Sequence, residues 1–242
     1  MKVLQLFSGG RDSFLSTCRL LDDNNTEVIL VAYTNGCCIG NGNIECESDR
    51  LIHMYGERVS FHGIHNVVGI WRSFFLPIMN MKQSDILDKY GDVTFSQINC
   101  TTCRMAMYVY SIALCKKLGI SCISDGARPS QLFAVEQLAL INKIRDTLEI
   151  MFGISILTPV SDISSNWDRK NELLIRGFFP KTMEQQCLIG VPIDGPLQQC
   201  VIDGILQFYE KEIYPRIYHM VNMIYEIMDS NGNIESDEFG GK

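Results

Sequence analysis

Long apolar runs are missing from this chain. The longest uncharged stretch, Val28–Ile44, is full of Asn and Gly, so no segment reads as a membrane span. No secretory leader is visible: Met1–Phe7 is too short an apolar stretch and runs straight into Ser8-Gly9-Gly10-Arg11-Asp12. Surplus basic charge is lacking too. Lys plus Arg number 21 against 28 Asp plus Glu, a formal net charge of −7. Generic nucleic-acid binding is thereby disfavoured, because phosphate contacts need clustered cations. Histidine is scarce, and His53, His62, His65 and His219 stand in no ligand spacing. Cysteine is the exception, with ten residues. Without a leader, a reducing cytoplasm is expected, where cysteines are core fillers, metal ligands or reactive thiols. The chain is 242 residues long and 46% hydrophobic. That is enough to bury a sizeable core in one large domain, or one domain with an appendage.

Strand and helix signals alternate along the chain. Lys2–Phe7 reads as a strand ending in a Gly-rich turn, and Asp12–Leu21 as a helix with Phe14, Leu15, Cys18 and Leu21 at helical spacing. Glu27–Tyr33 is β-branched and apolar, the mark of a buried strand. Thr34–Asn43 reads as a polar loop, Glu45–Tyr55 as a helix and Arg58–Ile64 as a strand. Thr101–Leu118 and Gln131–Phe152 are long helical patterns, each closed by a glycine (Gly119, Gly153) and followed by strands Ile120–Ser124 and Ile154–Leu157. Arg169–Arg176 is a short helix, Gly177–Pro196 a loop, and Leu197–Met228 a helical tail interrupted near Pro215. This grammar predicts an α/β fold, a Rossmann-like parallel sheet flanked by helices with a helical C-terminal extension. A core over 1–165 and an extension over 166–242 follow from it.

Ser8-Gly9-Gly10-Arg11-Asp12-Ser13 lies between the first strand and the first helix. Such a turn aims backbone N–H groups and the positive helix end at an anion, and glycines let a phosphate approach closely. Asp12 would need a metal ion between itself and the phosphate. The plainer reading is a Ser/Gly turn with Asp12 as a cap. Asp125-Gly126-Ala127-Arg128 follows a later strand, at the carboxyl end where ligands sit in open α/β sheets. Arg128 can pair with a phosphate or a carboxylate there; alternatively the segment is an ordinary turn with a solvated Arg.

SGGRDS resembles the SGGxDS loop of the PP-loop ATP pyrophosphatases, which cleave ATP between the α and β phosphates while adenylating a substrate. The resemblance implies that Ser8, Gly9, Gly10, Arg11, Asp12 and Ser13 hold the pyrophosphate end of ATP with Mg2+. It also implies that the end of the second strand, Ala32, Tyr33 and Thr34, holds adenine through its backbone, and that Asp125 and Gly126 border the nucleotide. The loop is not a Walker A loop, since no Gly-Lys-Ser/Thr ending is present.

Cys100-Thr-Thr-Cys103 is a C-x-x-C pair, which fits a redox motif or half of a zinc site. Cys187 and Cys200 are the candidate partners, so a Zn2+ quartet of Cys100, Cys103, Cys187 and Cys200 is expected. Cys37, Cys38 and Cys46 form a second loop cluster with no clear ligand geometry, while Cys18, Cys115 and Cys122 sit in apolar periodic segments and read as core. The segment Asp168–Cys187 (DRKNELLIRGFFPKTMEQQC) is similar to the K-x-E-hydrophobic stretch, glycine and late cysteine of 7-cyano-7-deazaguanine synthases. Those enzymes use ATP and ammonia to turn a 7-carboxy-7-deazaguanine into a nitrile, and they carry a four-Cys zinc site. That likeness implies roles near phosphates or substrate for Lys170 and Glu172, and a metal-ligand role for Cys187. The layout departs from the family, which clusters all four cysteines late; here C-x-x-C lies far upstream.

The same order of C-x-x-C, Asp-Gly and Gly-x-x-Pro-Lys ahead of Cys187 also resembles sacrificial PP-loop sulfurtransferases. On that reading Cys187 is a nucleophile beside Lys181 or Arg176. The expectation taken forward is an ATP-dependent ligase with catalytic Asp12, Arg128 and Lys170. Its substrates would be a deazapurine-like carboxylate and ammonia or an amine, a protein acceptor being an alternative nucleophile source. A homodimer is expected, and neither nucleic acid nor membrane is an expected partner. A tRNA-thiolating enzyme and a non-catalytic nucleotide-binding protein are the remaining rivals. Asp229–Glu235 is not a calcium loop, because Ile234 stands where the sixth-position glycine belongs. Trp71–Phe75 reads as core or interface, with only Arg72 nearby to serve a base-stacking role.

Overall fold

A computed structural model describes residues 1–129, 138–181, 184–190 and 195–231. The sheet is built from β1 (Lys2–Leu6), β2 (Glu27–Thr34), β4 (Val59–Asn66), β5 (Cys122–Ser124) and β6 (Ser155–Leu157), in the order β4-β2-β1-β5-β6. β1 pairs in parallel with β2 and with β5, and β5 in parallel with β6. Strand order therefore reverses beside β1, the arrangement that opens a crevice at the carboxyl ends of the strands. The loop after β1 and the turn after β5 both emerge there.

By compactness the chain divides into two units that interleave along the sequence. The first is Met1–His65, Ile120–Gln131 and Leu148–Ile189; the second is Asn66–Gly119, Leu132–Thr147 and Gly190–Lys242. In the first unit, α1 (Arg11–Leu20), α2 (Gly42–Tyr55) and α7 (Asn166–Ile175) accompany the sheet. Phe14, Leu15, Leu30, Leu51 and Leu173 join one apolar core. Each such side chain contributes about 1.5–3 kcal/mol by leaving water. Cys18, Cys115 and Cys122 are buried as the periodicity predicts.

The second unit is helical: α3 (Val68–Met79), α4 (Gln83–Tyr90), α5 (Phe95–Leu118), α8 (Gln199–Phe208) and α9 (Tyr214–Asn231). α6 (Leu138–Phe152) is shared between the units, and residues 131–137 of the predicted helix lie outside the described residues. α5 begins earlier than its apolar pattern suggests. Thr94 and Gln97 form a capping box, each side chain accepting from the other's backbone N–H. The interruption near Pro215 is a π-helical turn, Tyr209–Ile213, joining α8 to α9. Proline lacks the N–H that an unbroken α-helix would use at that point. Trp71–Phe75 lies on α3, with Phe74 and Phe75 buried. Among the described residues no helix is long and apolar enough to cross a membrane.

Two short strands escape the sequence reading. β3 (Cys38–Ile39) lies in the predicted polar loop and β7 (Gln186–Cys187) in the predicted 177–196 loop; they pair antiparallel. Two residues carry no alternation for a pattern to register.

On edge strand β4, His62 Nδ1 and His65 Nε2 are 2.9 Å apart. Burial first, then the charge of His62, pushes the His65 imidazole down to about 4. A depressed histidine stays neutral in the fold while the unfolded chain takes up its proton from about pH 6.5 downward. Its contribution is therefore full above pH 6.5 and lost as pH falls toward 4. His65→Gln is expected to flatten the pH dependence of stability in that window by about 1–2 kcal/mol, measured by urea titrations at the two ends.

Candidate active site at the glycine loop

The loop after β1 turns on Gly9, whose φ is +72°, a region that L side chains avoid. Gly10 then caps α1 without offering a side-chain acceptor, which leaves first-turn amides of α1 available to an anion. The loop is braced from within. Ser8 N–H donates to Ser13 Oγ at 3.2 Å, Ser13 Oγ donates to the Gly10 carbonyl at 3.1 Å, and Gly10 N–H donates to Ser8 Oγ at 3.3 Å.

A buried polar network sets the Asp-Gly turn against this loop. Ser16 Oγ donates to Gln5 Oε1 at 3.0 Å and lies 3.2 Å from the Asp125 carbonyl and 3.3 Å from Ser124 Oγ. Asp125 accepts from Ala127 N–H at 2.9 Å. Gly126 passes so close to α1 that a Cβ there would lie 2.8 Å from Ser13 N and 2.9 Å from the Asp12 carbonyl carbon. Only glycine lets the two backbones approach this closely, which explains the Asp-Gly pair physically.

Asp12 is the centre of the charge arrangement. Arg128 Nε donates to its Oδ2 at 3.0 Å, and Arg169 NH1 donates to its Oδ1. Both guanidiniums also reach Asn166 Oδ1, Arg128 at 3.4 Å and Arg169 at 2.7 Å. Arg128 and Arg169 are buried, at 8% and 5% exposure. Two guanidiniums thus neutralise the Asp12 carboxylate. Arg11 stands in the same field. Burial, then the charge of Arg169, lowers its guanidinium from the usual value, while Asp12 and Glu184 pull it back up. Three cations crowded beside two carboxylates favour an added anion.

Glu184 and Gln185 complete the site, and no motif pointed to them. Glu184 is exposed as a residue, yet its carboxylate tip reaches the loop: a Cβ on Gly10 would lie 2.2 Å from Glu184 Oε2. Loss of water and then the nearby charge of Asp12 raise that carboxyl above the usual range, against the pull of Arg11, Arg169 and Arg128. Gln185 Nε2 donates to the Tyr33 carbonyl at 2.7 Å. That carbonyl is at the end of β2, where Ala32 and Tyr33 are buried and Thr34 is partly exposed, its Oγ1 accepting from Gly36 N–H at 3.2 Å.

The cradle fits a polyphosphate. Buried Arg169 Nε, on the guanidinium that reaches Asp12, is a donor with no hydrogen-bond partner among the described residues. Asp12 is the carboxylate that would hold a Mg2+ ion bound with a phosphate there.

Arg169, not its neighbour Lys170, is brought to Asp12. Glu172 pairs with Arg19 (2.9 and 2.6 Å) and Arg176 (3.1 and 3.0 Å), and the Arg19 pair ties α7 to α1. A zinc quartet is not assembled among the described residues. Among the described residues no group of three or more His, Cys, Asp or Glu is placed to hold a metal. Cys187 instead opposes Cys38 between β3 and β7. Cys100 and Cys103 lie half-buried on α5, and Cys200 is exposed at the start of α8, its thiol 3.7 Å from Gln198 Oε1.

Arg169→Ala and Lys170→Ala are expected to separate. The first leaves one side of Asp12 unpaired and weakens ATP binding by about tenfold to a hundredfold; the second leaves it unchanged. Equilibrium dialysis with labelled ATP compares them, and equal losses would remove Arg169 from its assigned place.

No family model and no curated protein matches the sequence. Solved structures with a similar chain course include a predicted subunit of tRNA methyltransferase from Methanocaldococcus jannaschii. It is 19% identical, with a TM-score of 0.41, over 78% of this chain and 96% of that one. A U34-tRNA thiolase from Methanococcus maripaludis, with its [4Fe-4S] cluster, is 13% identical with a TM-score of 0.45, over 97% of this chain and 73% of that one. An NAD+ synthetase from Burkholderia pseudomallei is 13% identical with a TM-score of 0.38, over 89% and 81% respectively. All three of these TM-scores are below 0.5.

Proposed function

We propose that the protein is an ATP-dependent enzyme that adenylates a small-molecule carboxylate, releases pyrophosphate and passes the acyl group to a nitrogen nucleophile. The observation that carries this reading is the glycine loop with Asp12 clasped between Arg128 and Arg169. Bound Mg2+ would neutralise the phosphate oxygens, held by Asp12. The protein's own part is positional and electrostatic. Amides of α1 and Arg11 stabilise charge on the departing pyrophosphate, while Arg128 and Arg169 hold Asp12 and orient the anionic end of the nucleotide. The backbone of Ala32–Thr34 receives the adenine.

The segment Asp168–Cys187 supports a 7-carboxy-7-deazaguanine-like acid as substrate, with ammonia or an amine as the nucleophile. An amide, nitrile or conjugate would be the product. The test incubates the protein with ATP, Mg2+, ammonia and 7-carboxy-7-deazaguanine, and follows nucleotide and acid by mass spectrometry. AMP formed together with an amide, nitrile or conjugate is the expected result. ADP and inorganic phosphate as the products would overturn α–β cleavage, and unchanged acid beside wild-type AMP formation would overturn the substrate class.

A further inference from the structure

The residues Glu184–Leu188 form a strap that touches the site at one end and β3 at the other. Glu184 lies against Gly10, Gln185 bonds the Tyr33 carbonyl, and Leu188 N–H donates to the Cys37 carbonyl at 2.9 Å. Between these points Gln186 faces Ile39 and Cys187 faces Cys38. Because Leu188 and Cys37 are joined by a ladder hydrogen bond, the adjoining Cys187–Cys38 pair takes a non-hydrogen-bonded position. Such pairs bring Cα atoms to about 4.5 Å in antiparallel ladders, inside the span of about 4.4–6.8 Å that disulfides use.

We propose that Cys38 and Cys187 form a reversible disulfide that latches this strap across the nucleotide site. The gating part rests on the ATP reading given above. The oxidant is a low-molecular-weight disulfide. The Cys187 thiolate attacks one of its sulfurs and expels one small thiol. The Cys38 thiolate, having given its proton to water, then attacks Cys187 Sγ and expels the second. Two protein S–H bonds and one external S–S bond are lost; one protein S–S bond and two external S–H bonds are gained. The protein is oxidised by two electrons and the reagent is reduced by two.

The two thiols suit these roles. Cys187 is exposed and meets the reagent, whereas Cys38 is half-buried with its thiol donating to Asn35 Oδ1 at 3.2 Å. Burial first, then the facing Cys187, pushes the Cys38 thiol up to about 11, so Cys187 is the thiol that opens the exchange. Once latched, Glu184 stays at the loop and Gln185 stays on the Tyr33 carbonyl. These are the positions the ATP reading gives to a phosphate and to adenine. Among the described residues, reduced protein holds the strap by a two-residue ladder and a few hydrogen bonds, which a nucleotide can displace.

The full chain is equilibrated in reduced or oxidised glutathione, its remaining thiols are alkylated, and cross-linked peptides are mapped by mass spectrometry. A Cys38–Cys187 link is expected after oxidation, absent from Cys38→Ser. ATP affinity of the oxidised form is expected to fall by about tenfold or more, since only the unlatched fraction binds, and to return with dithiothreitol. Cys38→Ser keeps the affinity of the reduced protein under both conditions. Failure to form the link, or a link with unchanged affinity in protein that binds ATP when reduced, overturns the proposal. If neither form binds ATP, the nucleotide reading fails. The latch is then judged by hydrogen exchange at the amides of 184–188, which must slow on oxidation; unchanged exchange refutes it.

Discussion

Asp12→Asn is expected to lower ATP-dependent pyrophosphate release by about 10²–10³-fold, the scale of losing one preorganised charged group in an active site. The carboxylate has two duties. It fixes Arg128 and Arg169 in one geometry, and it stands at the head of the loop where a phosphate-bound Mg2+ would sit. An amide keeps the shape but cannot balance two guanidiniums. Their side chains are only 10% and 6% exposed, so part of their charge is left in a place that solvates it poorly. The same substitution is expected to cost about 1–3 kcal/mol of stability. A pyrophosphate-coupled assay is therefore run at a temperature where both proteins are folded by circular dichroism. Wild-type release from the folded variant would remove Asp12 from the site.

Much of this site is legible in the sequence where its residues are contiguous. Ser8–Ser13 sits between a strand and a helix, and Asp125–Arg128 ends a strand, so both can be placed from local grammar alone. Arg169 is less legible. It stands one helical turn from Asn166 on α7, and both side chains converge on one point because residues three apart share a helix face. A neighbouring Lys170 looks equally suitable in a linear reading. What separates them is that Arg169 is buried at 5% exposure, a property of the packed helix. Glu172 shows the converse. Its K-x-E context suggested phosphate chemistry, yet it lies among Arg19 and Arg176, whose partners also include Asp162 and Asp22. Glu184, Gln185 and the β3–β7 ladder leave no local trace at all. Their partners are more than a hundred positions away, and pairing over such a distance is decided by the fold. Cysteine spacing is no guide to the β3–β7 pair for the same reason: C-x-x-C is a local signal, whereas Cys187 faces Cys38 across the ladder.

Gly126→Ala is the second substitution with a large expected effect, and Gly204→Ala is its control. At both positions a Cβ would meet backbone, which cannot turn aside as a side chain does. On Gly126 it would lie 2.8 Å from Ser13 N, and on Gly204 it would lie 2.0 Å from the Tyr90 carbonyl oxygen. Each is expected to cost about 2–4 kcal/mol, the range of an overpacked core. Stability alone therefore does not distinguish them. Gly204 packs α8 against α4 inside the helical unit, whereas Gly126 packs the Asp-Gly turn against the first turn of α1. Displacing that turn by even part of an ångström shifts Ser13 and Asp12 from the loop geometry, and misplacement of about 1 Å can cost 10²-fold in rate. At a temperature where both variants are folded, Gly126→Ala is expected to lose about 10²-fold in pyrophosphate release, and Gly204→Ala to keep the wild-type rate per folded molecule. Equal losses would mean that the close approach of Gly126 serves only to hold the chain together. A loss confined to Gly126→Ala ties the Asp-Gly turn to catalysis through its close backbone contact with α1.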